Sequence, residues 1–110
     1  MASAAPVFSI EAYDRAAAAA RAIMIRKALA RGTDNLDRQG ADGVAVRLVE
    51  DKGSRIVRYL RARQAARHLE EMALPVPEQL QAQLGADACD DCLDAINYAI
   101  ILAVYMEVDK

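Results

Sequence analysis

A chain of 110 residues fits one domain, residues 1–110, and leaves no room for a second core. Apolar residues make up 55% of it but aromatics only 5%, with no Trp and one Phe, so the apolar content is mostly Ala, Leu, Ile and Val, a mixture suited to closely packed helices. The net charge of −2 conceals a segregation, basic in the middle and acidic in the last third, unlike a bare nucleic-acid binder. No apolar run approaches the roughly 18 residues that span a bilayer, and the first ten residues lack the basic start and apolar centre of a signal peptide, so the chain reads as cytoplasmic. A helical domain this small has a high surface-to-volume ratio, which makes self-association the default expectation.

The first element begins after Pro6. Ser9 caps a helix running from about Ile10 through the alanine tract 16–20 to Arg31, and Gly32 ends it. Between Gly32 and Gly43 the turn residues Asp34, Asn35 and Gly40 predict a loop long enough to cover a site. From Val44 to about Met72 apolar residues recur at Leu48, Val49, Ile56, Leu60 and Leu69, the spacing of one long amphipathic helix. Pro75 and Pro77 stop it, Glu78 opens a short helix ending near Gly85, and a last long helix spans Ala86 to Val108. The fold class is therefore all-α, with three main helices and a short one. No repeat of solenoid length is present.

At about 100° per residue, Leu93, Ile96, Ile100 and Val104 share one face of the last helix and form its expected buried stripe. Asp87, Asp90, Asp91, Asp94 and Tyr98 share another, with Asp94 near its centre. Like charges at these spacings repel by a few tenths of a kcal/mol per pair, about the cost of an unfavourable i,i+4 contact, which invites a cation among them. Oxygen donors with no nearby His favour Mg²⁺ or Mn²⁺ over Zn²⁺. The helix dipole alone accounts for Asp87, Asp90 and Asp91 in a first turn. Asp94 lies deeper, followed by Asn97 and Tyr98 just before an apolar run.

On the central helix Arg47, Glu50, Asp51, Ser54, Arg55 and Arg58 fall on one side and Val49, Gly53, Ile56 and Leu60 on the other, with Lys52 at the boundary. Gly53 costs a helix about 1 kcal/mol relative to Ala, so close approach of another backbone is expected there. If that backbone is the last helix, Glu50 and Asp51 join Asp91 and Asp94 around metal ions, while Lys52 and Arg55 reach toward phosphate oxygens, a layout suited to phosphoryl transfer. Arg61, Arg63 and Arg67 read as a solvated basic face. Cys89 and Cys92 lack two further zinc ligands, and Asp90 and Asp91 beside them disfavour a thiolate, so both read as reduced packing residues. His68 reads as exposed, and neither a Gly-rich phosphate loop nor a Ser-His-Asp set is apparent.

Val46-Arg47-Leu48-Val49-Glu50-Asp51-Lys52-Gly53-Ser54-Arg55, followed by Asp90-Asp91-Cys92-Leu93-Asp94-Ala95-Ile96-Asn97-Tyr98-Ala99, resembles the nucleotide-modification-associated branch of the MazG-like all-α NTP pyrophosphatases, common in phages. In that branch an Arg and apolar residues precede an Asp-Lys pair, an Arg follows, and a later helix carries Asp, three residues, Asp, two residues, then Asn-Tyr. Asp51, Lys52 and Arg55 match the first pattern; Asp90, Asp94, Asn97 and Tyr98 match the second. The resemblance spans roughly Gly43 to Glu107.

It implies a MazG-like helical bundle completed as a homodimer or homotetramer and a nucleoside triphosphate diphosphohydrolase dependent on Mg²⁺ or Mn²⁺. Metal would be held by Glu50, Asp51, Asp91 and Asp94. Glu50 and Lys52 would be catalytic, and Lys52, Arg55, Asn97 and Tyr98 would contact substrate. The superfamily's Glu-x-x-Asp pair is met by Asp91 and Asp94, but its Glu-x-x-Glu pair is not, since Arg47 and Gly53 flank Glu50 at that spacing. Similarity to branch members acting on guanine nucleotides implies (d)GTP as substrate, cleaved to the monophosphate and pyrophosphate to shape a phage nucleotide pool. The base would lie between the first helix and the 32–43 loop. A non-enzymatic helical interaction module is the rival reading; a nucleic-acid binder using Arg55 to Arg67 is a weaker one, because the last helix is acidic and aromatics are few.

Overall fold

The computed structural model describes residues 6–85 and 88–108, and these contain helices and no strand. Helix α1 spans Ile10–Arg31. Its start follows from Ser9, whose extended backbone lets Oγ accept the Ala12 N–H at 3.0 Å. Its end follows from Gly32, at φ 73°, whose N–H returns to the Ala28 carbonyl.

The expected loop at 32–43 is instead largely helical. Helix α2 spans Asp34–Val46, interrupted only at Gly40, where φ 64° and ψ −171° break the helical path. The turn-forming residues that predicted a loop are also favourable in a first helical turn: Asp34 and Asp37 sit where the dipole welcomes negative charge. Tyr105 Oη donates to Asp37 Oδ1 at 2.6 Å and ties this short piece to a residue 68 positions later in the chain. Gly40 is required by its left-handed φ, which an L side chain adopts only at a cost.

The long central helix is present, but not as a regular α-helix. Val46 passes without a break into a π-helical segment, Arg47–Gly53, which continues as α3, Ser54–Glu71. A π turn bonds residue i to i+5 and so carries an extra residue. Ser54 Oγ donates to the Glu50 carbonyl at 2.6 Å and also lies 3.1 Å from that of Asp51, capturing backbone acceptors at the point where the helix re-tightens. The close approach at Gly53 comes from within this turn: a Cβ there would stand 3.1 Å from the Leu48 carbonyl oxygen, five residues back. The glycine therefore accommodates its own helix and not, as expected, the backbone of the last one.

The extra residue also rotates the faces. Val49, expected inside, is 67% exposed, while Asp51 and Lys52 are half-buried. Beyond Ala73 and the two prolines, α4 spans Glu78–Leu84 and packs on α3. Helix α5 spans Ala88–Tyr105; residues 86 and 87, where it was expected to begin, lie outside the described residues.

Helix α5 is central, touching α1, α2, the π segment and α3. It runs antiparallel to α1, because Ala20 meets Asn97 while Lys27 meets Asp94. Full burial among apolar residues is confined to Ala20, Val44, Ala62 and Ala66, within the described residues. The expected α5 stripe is half-buried at Leu93 and Ile96, but Ile100 and Val104 are 57% and 64% exposed. The chain measures 53 × 31 × 26 Å with a radius of gyration of 17.1 Å. A compact chain of this length would have about 13 Å. No described helix is long and apolar enough to cross a membrane.

Candidate functional site

Where the π segment lies against α5, six side chains form a row of alternating charge. Lys27 Nζ stands 3.0 Å from Asp94 Oδ1; the other Asp94 oxygen is 3.3 Å from Lys52 Nζ, which is 3.7 Å from Asp91 Oδ1. Arg55 continues the row, with Nη1 3.6 Å from Asp91 and Nε 3.2 Å from Asp51. Lys52 and Asp91 are each 14% exposed at the side chain, so the middle is sheltered and the ends are wet. The row balances three cations against three anions. Its outer contacts contribute little in water, whereas its central ones are less screened.

Each member is set by its helix. The π turn brings Lys52 to α5, and the next turn brings Arg55 alongside, where it also meets Asp51 four residues back on its own helix. Asp91 and Asp94, three apart on α5, project from the same face. Partial burial pushes the Asp94 carboxyl up, but hydrogen bonds and charge from Lys27 and Lys52 outweigh this and hold it below its ordinary value.

The inner four members of the row, Asp94, Lys52, Asp91 and Arg55, border a cleft of about 630 Å³, within the range of small-molecule sites. Lys52, Arg55, Arg58 and Tyr59 form one wall, Ala82 and Gln83 of α4 another, and Asp90, Asp91 and Asp94 a third. A smaller cleft of about 110 Å³ opens on the other side of Asp94, lined among others by Lys27, Arg31, Asn35, Asn97 and Tyr98.

Of the residues singled out in the sequence, Asp51, Lys52, Arg55, Asp91 and Asp94 are brought together. Glu50 is not among them: it is exposed and joins none of these ion pairs, bordering a different cleft with Asp42, Arg47 and Asp51. Asn97 is buried, donating from Nδ2 to the Ala20 carbonyl at 2.8 Å, which makes it a link between α1 and α5. Tyr98 faces the smaller cleft. Asp87 lies outside the described residues. Cys89 and Cys92 are free and exposed, not packing residues as expected; burial, then Cys89 and Asp91, push the Cys92 thiol up, so it disfavours a thiolate. His68 is exposed, as read from the sequence.

Lys27, Tyr59 and Gln83 were missed. Lys27 carries a faint signal, since it lies two helical turns from Ala20, but using it requires the antiparallel register with α5.

The acidic donors are hard oxygens, the chemistry that suits Mg²⁺ or Mn²⁺. Among the described residues, however, no three His, Cys, Asp or Glu side chains are gathered as a metal-binding group; Lys52 and Arg55 stand between the carboxylates. Compared with known protein families, curated proteins and solved structures, the chain shows no significant match, so a reading of its role rests on the chemistry of this cleft and on the motifs that form it.

Proposed function

We propose that the chain is a metal-dependent nucleoside triphosphate diphosphohydrolase of the MazG-like kind, acting on a (d)NTP, with (d)GTP the preferred candidate, in the nucleotide pool of a phage-infected cell. The observation that carries this reading is the convergence of Asp91 and Asp94 with Lys52 and Arg55 along a cleft of substrate size, with Asp51 paired to Arg55 beside it. Mixed charge of this kind suits a reaction whose demands are positioning and stabilisation of charge on phosphate oxygens.

Asp91 and Asp94, the carboxylates of the row that line the cleft, are the oxygen donors that would hold Mg²⁺ or Mn²⁺. When bound, such an ion supplies a Lewis acid and offsets phosphate charge. The chain's own cations, Lys52 and Arg55, face the phosphates, and the half-buried carboxylates orient water. Water oxygen bonds to the α-phosphorus as the bond from that phosphorus to the α–β bridging oxygen breaks. Pyrophosphate leaves with the electron pair, and the proton lost by water passes to a carboxylate and on to solvent. Glu50 falls outside this set because it is exposed and joins none of the row's ion pairs.

The same reading makes the chain a homodimer or homotetramer. Its support is apolar surface that one copy leaves uncovered, including Leu29, Ile100 and Val104. That surface is also what a non-enzymatic helical interaction module would present, which keeps this second reading in play. Pyrophosphate release from a panel of NTPs and dNTPs, with Mg²⁺ or Mn²⁺ and with EDTA, decides between them. The enzyme reading expects metal-dependent conversion to the monophosphate, reduced at least about a hundredfold in Asp94→Ala. No turnover across the panel, together with a stable complex with a partner protein, would establish the interaction module instead.

A further inference from the structure

Of the cations lining the cleft beside Asp91 and Asp94, two are already matched. Lys52 lies between Asp91 and Asp94, and Arg55 between Asp51 and Asp91. An incoming polyphosphate must either break those pairs or find a cation outside them. Arg58 is that cation. It stands on the second turn of α3 and lines the same cleft, and its guanidinium has no hydrogen-bond or ion-pair partner among the described residues. The opposite wall contributes Gln83 of α4, a neutral donor that cannot offset phosphate charge.

From this we infer that Arg58 holds the terminal phosphates of the substrate, resting on the diphosphohydrolase reading for the identity of that substrate. A guanidinium presents two parallel N–H groups that match two phosphate oxygens, which fixes orientation as well as charge. With Arg58 gripping the outer phosphates, the α-phosphorus is left toward the carboxylates of α5, and pyrophosphate remains the group held when the α–β bond has broken. Arg58 is also exposed and half outside the cleft, bordering its neighbour with Arg61, so its head can swing inward at little cost to the packing of α3.

The test uses inorganic pyrophosphate as the probe in calorimetric titration, with and without Mg²⁺, alongside NTP steady-state kinetics. It compares the native chain with Arg58→Gln, Arg58→Lys and Arg67→Gln, the last a control on the same helix and away from the cleft. Arg58→Gln is expected to weaken pyrophosphate binding about tenfold or more and to raise KM, Arg58→Lys to recover only part because a point charge replaces a fork, and Arg67→Gln to match the native chain. Equal pyrophosphate affinity in native and Arg58→Gln, or none in the native chain, overturns the assignment. The two failures are separable. NTP turnover indifferent to Arg58 removes this inference and leaves the hydrolase; Arg58-dependent pyrophosphate binding without NTP turnover keeps the anion site and removes the hydrolase. Arg58 is exposed, so native-like thermal unfolding of Arg58→Gln is expected and excludes misfolding as the cause.

Discussion

Helix α5 meets two neighbours on different terms. Against α1 it offers Asn97, fully inside, to a backbone carbonyl that has no other role than helix geometry. Toward the π segment and the start of α3 it offers Asp91 and Asp94 to Lys52 and Arg55, each of which has a second partner, and Lys27 of α1 joins only the outer end of this row. The first contact is specific and unshared, so it fixes position. The second is a row in which any one link has alternatives nearby, so it can be rearranged by an added charge. A seam built for register and a seam able to exchange ions thus lie one helical turn apart on the same helix.

The sharpest way to break this contrast is to place charge in the rigid seam. Asn97→Asp sets a carboxylate against the Ala20 carbonyl in a buried position, and a loss of about 3 kcal/mol or more in unfolding free energy by urea titration is expected. A cost below about 1 kcal/mol would mean that the seam opens to water. The charged seam should respond less and, unlike the other, should be repairable. Lys52→Met leaves Asp91 and Asp94 facing one another without their shared ammonium and should cost about 2 kcal/mol. Millimolar Mg²⁺ should return part of that stability to the variant while adding less to the native chain. Identical Mg²⁺ responses would show that the carboxylates do not accept a divalent ion in place of the ammonium.

The smallest effect is a pH dependence. Because Asp94 is held below its ordinary value in the folded chain, its contribution is complete above the unfolded carboxyl value of about 3.9 and is lost as pH falls through the lower folded one. Asp94→Asn should therefore be less stable than the native chain near neutrality, and the gap should narrow in acid. A gap that widened as pH fell would reverse the sign of the interaction with Lys27 and Lys52.

Much of the fold was legible because its punctuation is local. Ser9 and Gly32 bound α1 through contacts within four residues, and Pro75 with Pro77 separates α3 from α4. Asp51, Lys52, Asp91 and Asp94 were recognisable as one constellation from residue type and spacing. What escaped is nonlocal or irregular. A wheel drawn at a constant angle cannot represent the π turn, so it turned Val49 inward and left Lys52 at an edge. Asp34 and Asn35 serve a turn and a helix start equally well, and the hydrogen bond from Tyr105 to Asp37 that helps hold the helical choice comes from the other end of the chain. Lys27 joins the site only through the antiparallel pairing of α1 with α5. Ile100 and Val104 keep the helical spacing of a buried stripe, yet a single copy leaves them open.

The widened turn at Arg47–Gly53 also makes the site sensitive to chain length in a way that no substitution reproduces. Removing one residue from it would allow an ordinary α-helix and turn one flank by about 100° relative to the other. With α3 anchored on α4 and α5, that rotation would fall on α2 and on whatever remained of the segment, carrying the carboxylate and ammonium donors out of reach of α5. The composition of the helix would barely change, but its phase would, so this seven-residue stretch tolerates exchange of side chains far better than loss of a single peptide unit.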